Sequence, residues 1–213
     1  VGEWLGKPTT RGRVLLIDSG DLFTGTIAAD LTEGLAVIEA MNALGYDASA
    51  VGNHEFDFGP VGPSPTIEKP GDDPRGALRG AARAARFPLL SANLVDPRPE
   101  PWSRSFTIVV KDGVKVGIVG GTTDATPATT IADNLEGMKI EKLRVATAQA
   151  IRDARTLGAT LIVLAVHAGG NCKSNVPLTE TSTDDPARCD PALAEFVSLR
   201  PEFTTLAVRD PQG

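Results

Sequence analysis

Residues 160–166, Thr-Leu-Ile-Val-Leu-Ala-Val, form an unbroken apolar run with none of the alternation of a half-solvated strand. A strand apolar on both faces has to be covered on both, so this segment predicts a sheet packed between other layers. At seven residues it is far too short to cross a bilayer. The rest of the chain supplies the layers. Residues 13–18 are a β-branched apolar run ended by Ser19-Gly20, and 48–51 are a second short strand stopped by Gly52. Residues 87–94 return to strand. Residues 105–110 and 114–119 flank Lys111-Asp112-Gly113, where Asp-Gly provides the positive φ of a tight hairpin. Between the strands, Leu35, Ile38, Met41 and Leu44 follow helical spacing, with Thr32 as N-cap and Gly45 as stop. Residues 77–86 are rich in Ala and Arg and helix-prone. Leu143, Ala146, Ala150, Ala154 and Leu157 mark one face of a further helix closed by Gly158. Residues 60–74 are thick with Pro and Gly and read as an exposed loop. A chain of 213 residues with this alternation predicts one αβ sandwich.

Composition narrows the function classes. The apolar share of 41% and charged share of 23% are ordinary for a globular domain and exclude wholesale disorder. The net charge is −6, and no stretch clusters Lys and Arg, which argues against duplex nucleic acid as the partner. The sequence begins with Val1 and carries no charged-then-apolar leader, so it reads as a processed or truncated piece.

Ligands in αβ sheets gather in loops beyond the carboxyl ends of strands. Three such loops carry metal-capable side chains: Asp18-Ser19-Gly20-Asp21, then Gly52-Asn53-His54-Glu55-Phe56-Asp57-Phe58-Gly59, then His167-Ala168-Gly169-Gly170. Each has a plain reading alone. Asp18 caps a turn, Asn53-His54 is turn chemistry, and His167 is a hydrogen-bonded core imidazole. Together, with both histidines of the chain at strand ends, they point to a site. Carboxylate, amide and imidazole donors suit Mn, Zn, Fe or Co.

These strings resemble the 5′-nucleotidase family of calcineurin-like metallophosphoesterases. The resemblance rests on Gly20-Asp21-Leu22-Phe23-Thr24-Gly25-Thr26, Met41-Asn42-Ala43-Leu44-Gly45-Tyr46-Asp47, the Asn53 string, Gly121-Thr122-Thr123-Asp124-Ala125-Thr126-Pro127 and His167-Ala168-Gly169. It implies a metallophosphoesterase-like αββα sandwich, incomplete at both ends. Residues 1–213 would be a single partial catalytic domain, without the C-terminal nucleotide-specificity domain. It further implies a dinuclear-metal phosphoester hydrolase acting on nucleotides, in which hydroxide shared by two divalent ions attacks phosphorus. By this likeness Asp21 bridges the metals, Asn53 and His167 complete much of one metal site, and His54 is the catalytic histidine. Asp57 orients that imidazole and raises its pKa, against a plain reading as a turn residue. The likeness assigns nothing to Glu55, whose default role is structural. The partner is a small-molecule phosphate ester.

The family pattern also contains an Asp-x-His ahead of the first strand and a Gly-His-x-His after His167. Residues 1–13 hold no Asp or His, and no His follows His167. Partial metal occupancy and weak hydrolysis by this polypeptide alone are therefore expected. Three other readings stay open: a non-catalytic nucleotide- or partner-binding domain, a cyclic-nucleotide phosphodiesterase, and a nucleotide-sugar hydrolase. Dinucleotide binding at Gly117-Ile118-Val119-Gly120-Gly121 fails on spacing and on the Thr- and Pro-rich segment after it. Cys172 and Cys189 enclose a polar loop, and a disulfide there would contribute about 3 kcal/mol in the chain-entropy model. Two reduced thiols or zinc ligands are the competing readings, though zinc lacks both the C-x-x-C spacing and a second Cys pair. A disulfide favours a periplasmic or extracellular location.

Overall fold

The computed structural model describes residues 14–168 and the backbone of Leu206–Val208. In chain order the elements are β1 (Ile17–Asp18), α1 (Ile27–Leu31), α2 (Leu35–Leu44), β2 (Ala48–Ala50), a 3-10 turn at His54–Phe56 and α3 (Gly76–Ala84). Next come β3 (Leu89–Leu90), β4 (Leu94–Val95), β5 (Phe106–Lys111), β6 (Val114–Thr122), α4 (Thr126–Thr129) and a 3-10 turn at Ala132–Leu135. The last are β7 (Lys139–Ile140), α5 (Leu143–Thr156), β8 (Leu161–His167) and β9 (Leu206–Val208).

Two sheets carry the architecture. One is parallel, in the order β1-β2-β3; the other runs β5-β6-β8-β9, and β4 pairs with β7 in a small antiparallel ribbon. In the second sheet β8 lies parallel to both β6 and β9, and β5 is antiparallel to β6. Three alanines, Ala48, Ala50 and Ala165, pack with Leu90, Val116 and Ile118 between the sheets as one buried cluster. A second cluster, with Ile38, Met41, Leu78, Ala81 and Phe87, joins α2 and α3 to the outer side of the parallel sheet. A third packs Ala150, Ile151 and Ala154 of α5 against Ile162 and Leu164. The layers are helix, sheet, sheet, helix. The long apolar run is β8, with Ile162 and Leu164 turned to the helix and Ala165 to the facing sheet.

Most element predictions hold, with shifts that have local causes. The hairpin between β5 and β6 closes at the Lys111–Val114 pair. Asp112 and Gly113 both take positive φ, 50° and 82°, which matches the right-handed twist of the strands. Gly45 ends α2 in the left-handed conformation, as expected. Thr32 is not the N-cap of α2, which is Gly34. Thr32 closes the unforeseen α1, and its hydroxyl accepts from the Ala36 N–H. The expected strand over 87–94 divides into β3 and β4, because Ser91 and Asn93 turn inward to Thr122 instead of continuing the ladder. The first strand narrows from 13–18 to Ile17–Asp18 within the described residues. Cys172 and Cys189, and the disulfide expected of them, lie outside the described residues, as do residues 1–13 and 209–213.

Candidate functional site

The carboxyl ends of β1, β2 and β8 meet at one edge, because β1 runs beside β2 and the two sheets face each other. Thr122, at the end of β6, stitches them there: its hydroxyl donates to the Val51 carbonyl at 2.6 Å.

Asp18 spends its carboxylate on the turn after β1, accepting from the Gly20 N–H at 2.7 Å, in keeping with the plain reading. That turn is tight. Gly20 has φ 98°, and a Cβ on it would stand 2.6 Å from the Gly52 nitrogen. Asp21 follows at φ 62°, a left-handed conformation uncommon for a non-glycine residue. The result is that the β1 loop and the β2 loop touch through backbone, and the Asp21 carboxylate projects over the second loop.

Both oxygens of Asp21 are engaged. Oδ1 accepts from the His54 backbone N–H at 3.1 Å, and Oδ2 lies 3.0 Å from His167 Nε2. His167 comes from the end of β8, and its Nδ1 lies 3.2 Å from the Ser19 carbonyl, 148 residues away in sequence. Three strand-end loops thus converge on one carboxylate. Burial pushes the Asp21 carboxyl up, but the His167 hydrogen bond and charge, with the His54 N–H, outweigh it and hold the group below its ordinary value. Burial pulls His167 down, and its contacts with Asp21 more than reverse that.

His54 is half-exposed and its ring is held from behind. Asp57 Oδ2 sits 2.6 Å from His54 Nδ1, and the Thr130 hydroxyl donates to Asp57 Oδ1 at 3.2 Å. Desolvation lowers the His54 pKa, and the Asp57 hydrogen bond and charge raise it further than burial lowers it. Asn53 is buried, and its Nδ2 donates to the Thr129 carbonyl at 3.0 Å, which leaves the amide oxygen to face elsewhere. Of the five residues singled out from sequence, the structure joins Asp21 to His167 and His54 to Asp57, and Asp21 to His54 through backbone. Asn53 stands between Gly52 and His54 on the same loop, with its side chain tied toward α4.

Glu55, given only a structural role from sequence, is the hub of the two loops. It is fully buried, and its carboxylate accepts from the N–H groups of Asp21 at 3.0 Å, Leu22 at 2.5 Å and Gly52 at 2.5 Å. Burial and the Asp21 charge push its carboxyl up to about 7, with the three N–H groups pulling the other way. Its place between His54 and Phe56, in a strand-end loop already singled out, was the available sequence signal. Thr130 had none, since it reaches Asp57 across 73 residues.

Among the described residues no group of three or more His, Cys, Asp and Glu side chains forms a metal cluster. Asp21 and His167 are nonetheless in direct contact, and a carboxylate, an imidazole and the Asn53 amide are the donor types that first-row divalent ions take. In type, the donors present fit part of a divalent site.

No family model matches the chain. Protein UshA of Yersinia enterocolitica serotype O:8 is 33% identical over 175 residues, covering 78% of this chain and 28% of UshA. A 5′-nucleotidase precursor from Thermus thermophilus superposes with a TM-score of 0.59 at 31% identity, over 73% of this chain and 28% of that one. The calcineurin-like phosphoesterase YfkN from Bacillus subtilis gives a TM-score of 0.56 at 25% identity, over 73% of this chain and 48% of YfkN. The chain spans 28% of the length of both UshA and the Thermus protein.

Proposed function

Because this chain belongs to the 5′-nucleotidase family of the calcineurin-like metallophosphoesterases, we propose that it hydrolyses phosphoric esters of nucleotides at the Asp21–His54–His167 site. The observation that carries the proposal is the grip of three separate strand-end loops on the Asp21 carboxylate. We include in it residues 1–213 as one partial catalytic domain. A periplasmic or extracellular location is also part of the proposal; it rests on Cys172 and Cys189, outside the described residues. No helix among the described residues is long and apolar enough to cross a membrane.

In this reading Asp21, Asn53 and His167 would hold divalent metal. When bound, such ions supply positive charge against the oxygens of the transferring phosphoryl group. His54 acts beside them. With Nδ1 committed to Asp57, the exposed Nε2 is the nitrogen that meets substrate. The raised pKa keeps an imidazolium populated near neutral pH, so Nε2–H donates to a phosphoryl or leaving oxygen. Asp57 fixes the ring, Thr130 fixes Asp57, and Glu55 keeps both loops in register. No protein nucleophile is required, because the charge on the transferring group makes positioning and electrostatics the main sources of rate.

The test is phosphate release from AMP by protein expressed from its full reading frame, with Mn²⁺ or Zn²⁺ added. His54→Ala is expected to lower the rate by about 10²- to 10⁴-fold, the range of a lost general acid. Binding of AMP without phosphate release, or an unchanged rate in the variant, refutes the proposal.

A further inference from the structure

At the other edge of the parallel sheet a cleft of about 350 Å³ opens between the end of α3, the start of β3 and the segment entering β5. The candidate site lies beyond the carboxyl ends of β1 and β2. The cleft instead takes in Pro88 and Leu89, at the amino end of β3, which runs parallel to them. The cleft therefore opens at the opposite end of the parallel sheet from the candidate site, the two meeting through the contact of Trp102 with Phe56, and its residues are separate from those of the proposed phosphoesterase site.

Four arginines line the cleft, Arg79, Arg83, Arg86 and Arg104, and the single acid among its walls is Glu100. Arg79 is already committed, to Asp73 at 2.9 Å and Asp96 at 2.8 Å. Arg83 meets Glu100 only at 3.9 Å with both side chains largely exposed, a pairing worth little. The guanidinium groups of Arg86 and Arg104 have no ion pair or hydrogen bond among the described residues. In a chain of net charge −6, three cations around one recess with one loosely held acid are a local excess of positive charge.

The floor is rigid. Phe87, Leu89 and Trp102 are buried beneath the arginines. Trp102 is fixed by its Nε1–H to Asp96 at 2.9 Å and by an edge contact with Phe56. The recess has the volume of a small-molecule pocket, too small for a folded polypeptide segment, and what its exposed wall selects for is charge, through the three uncommitted guanidinium groups. Guanidinium forks match tetrahedral oxyanions, which accept two parallel N–H bonds from each. We propose that this cleft is a binding site for a compact, multiply charged phosphate-class anion of about the size of pyrophosphate.

Trp102 is one of only two tryptophans, so Trp4→Phe leaves it as the sole indole reporter. In that background pyrophosphate is titrated at constant ionic strength, with chelator present to remove divalent metal, and Trp102 emission and calorimetric heat are both followed. A saturable response is expected. Arg86→Gln with Arg104→Gln should weaken it by about tenfold or more, the size of a lost charge-assisted contact. Both arginines lie at the cleft surface, so a circular-dichroism melt is expected to match that of the parent. His54→Ala should bind as the parent does. The proposal is overturned if neither signal saturates, if the double variant binds equally well, or if His54→Ala abolishes the response. Malonate binding as tightly as pyrophosphate would overturn the assignment to phosphate chemistry.

Discussion

Asp96 is the strut beneath the arginine cleft, and its removal is the sharpest test of how this fold holds buried charge. One carboxylate accepts from Arg75 Nε at 2.9 Å and Nη2 at 3.0 Å, Arg79 Nη2 at 2.8 Å, Trp102 Nε1 at 2.9 Å and the Arg98 N–H at 3.1 Å. The Arg75 side chain is 0% exposed and that of Asp96 7%. Asp96→Ala leaves Arg79 its pairing with Asp73, but leaves Arg75 only the carbonyls of Asn134 and Glu136. Orphaning one buried cation of this kind costs about 3–5 kcal/mol, and the surviving carbonyl bonds favour the lower end. At about 2–4 °C per kcal/mol for a chain of this size, Tm should fall by roughly 6–12 °C. Acid supplies a second signature. Burial raises the Asp96 carboxyl, but the Arg75 and Trp102 hydrogen bonds outweigh it and hold the group below its ordinary value. A depressed folded-state pKa contributes stability that is present above the unfolded pKa, about 4, and is lost as pH falls through the folded value. Urea denaturation should therefore show a constant gap between parent and Asp96→Ala near neutral pH, closing in acid. A gap under about 1 kcal/mol at pH 7, the range of surface ion pairs, would refute the reasoning.

The geometry sets three further outcomes. Gly113→Ala meets no atom within 4 Å, so its cost is backbone alone: at φ 82° about 1–2 kcal/mol, read as a lower urea midpoint, and a neutral result would contradict the turn. Asp57→Asn removes the charge behind His54, so His54 should lose its proton at lower pH than in the parent. Only two histidines are present, so their ring resonances can be followed by NMR, and an unmoved His54 titration would show that Asp57 does not act on it. Glu55, pushed up to about 7 from 4.5, binds its proton more tightly folded than unfolded, so it makes stability fall as pH rises between those values. Glu55→Gln should flatten that slope, and profiles that superimpose would exclude it.

The layers were legible because they arise from patterns a few residues long. An apolar run such as 160–166 can satisfy its surroundings only between two layers, and Asp112-Gly113 all but dictates a tight hairpin. The misreadings come from contacts made at a distance. Residues 87–94 carry strand character throughout, yet Ser91 and Asn93 bond Thr122, about thirty positions on, and that network breaks the ladder in two. Thr32 has the right side chain for an N-cap. Its hydroxyl still accepts from the Ala36 N–H of α2 but donates back to the Ala28 carbonyl of α1, a five-residue helix whose exposed Ile27 and Leu31 give no amphipathic signal.

At the candidate site the same division separates the side chains from what holds them. Asp21, Asn53, His54, Asp57 and His167 could be chosen from sequence because chemistry at strand ends uses few residue types. Their support could not, since it consists mostly of backbone groups. Glu55 binds three main-chain N–H groups drawn from two loops, the Ser19 carbonyl meets His167, and the Gly20 turn lies against Gly52. No side-chain pattern encodes a partner that every residue possesses. Yet this backbone lattice fixes where Asp21 and His54 stand relative to each other, because the His54 N–H itself is one of the donors on the Asp21 carboxylate. The carboxylate and the imidazole therefore keep their relative placement through loop geometry, without a direct bond between the two side chains. A substitution that distorts either loop should disturb His54 as much as Asp21, even where both side chains are retained.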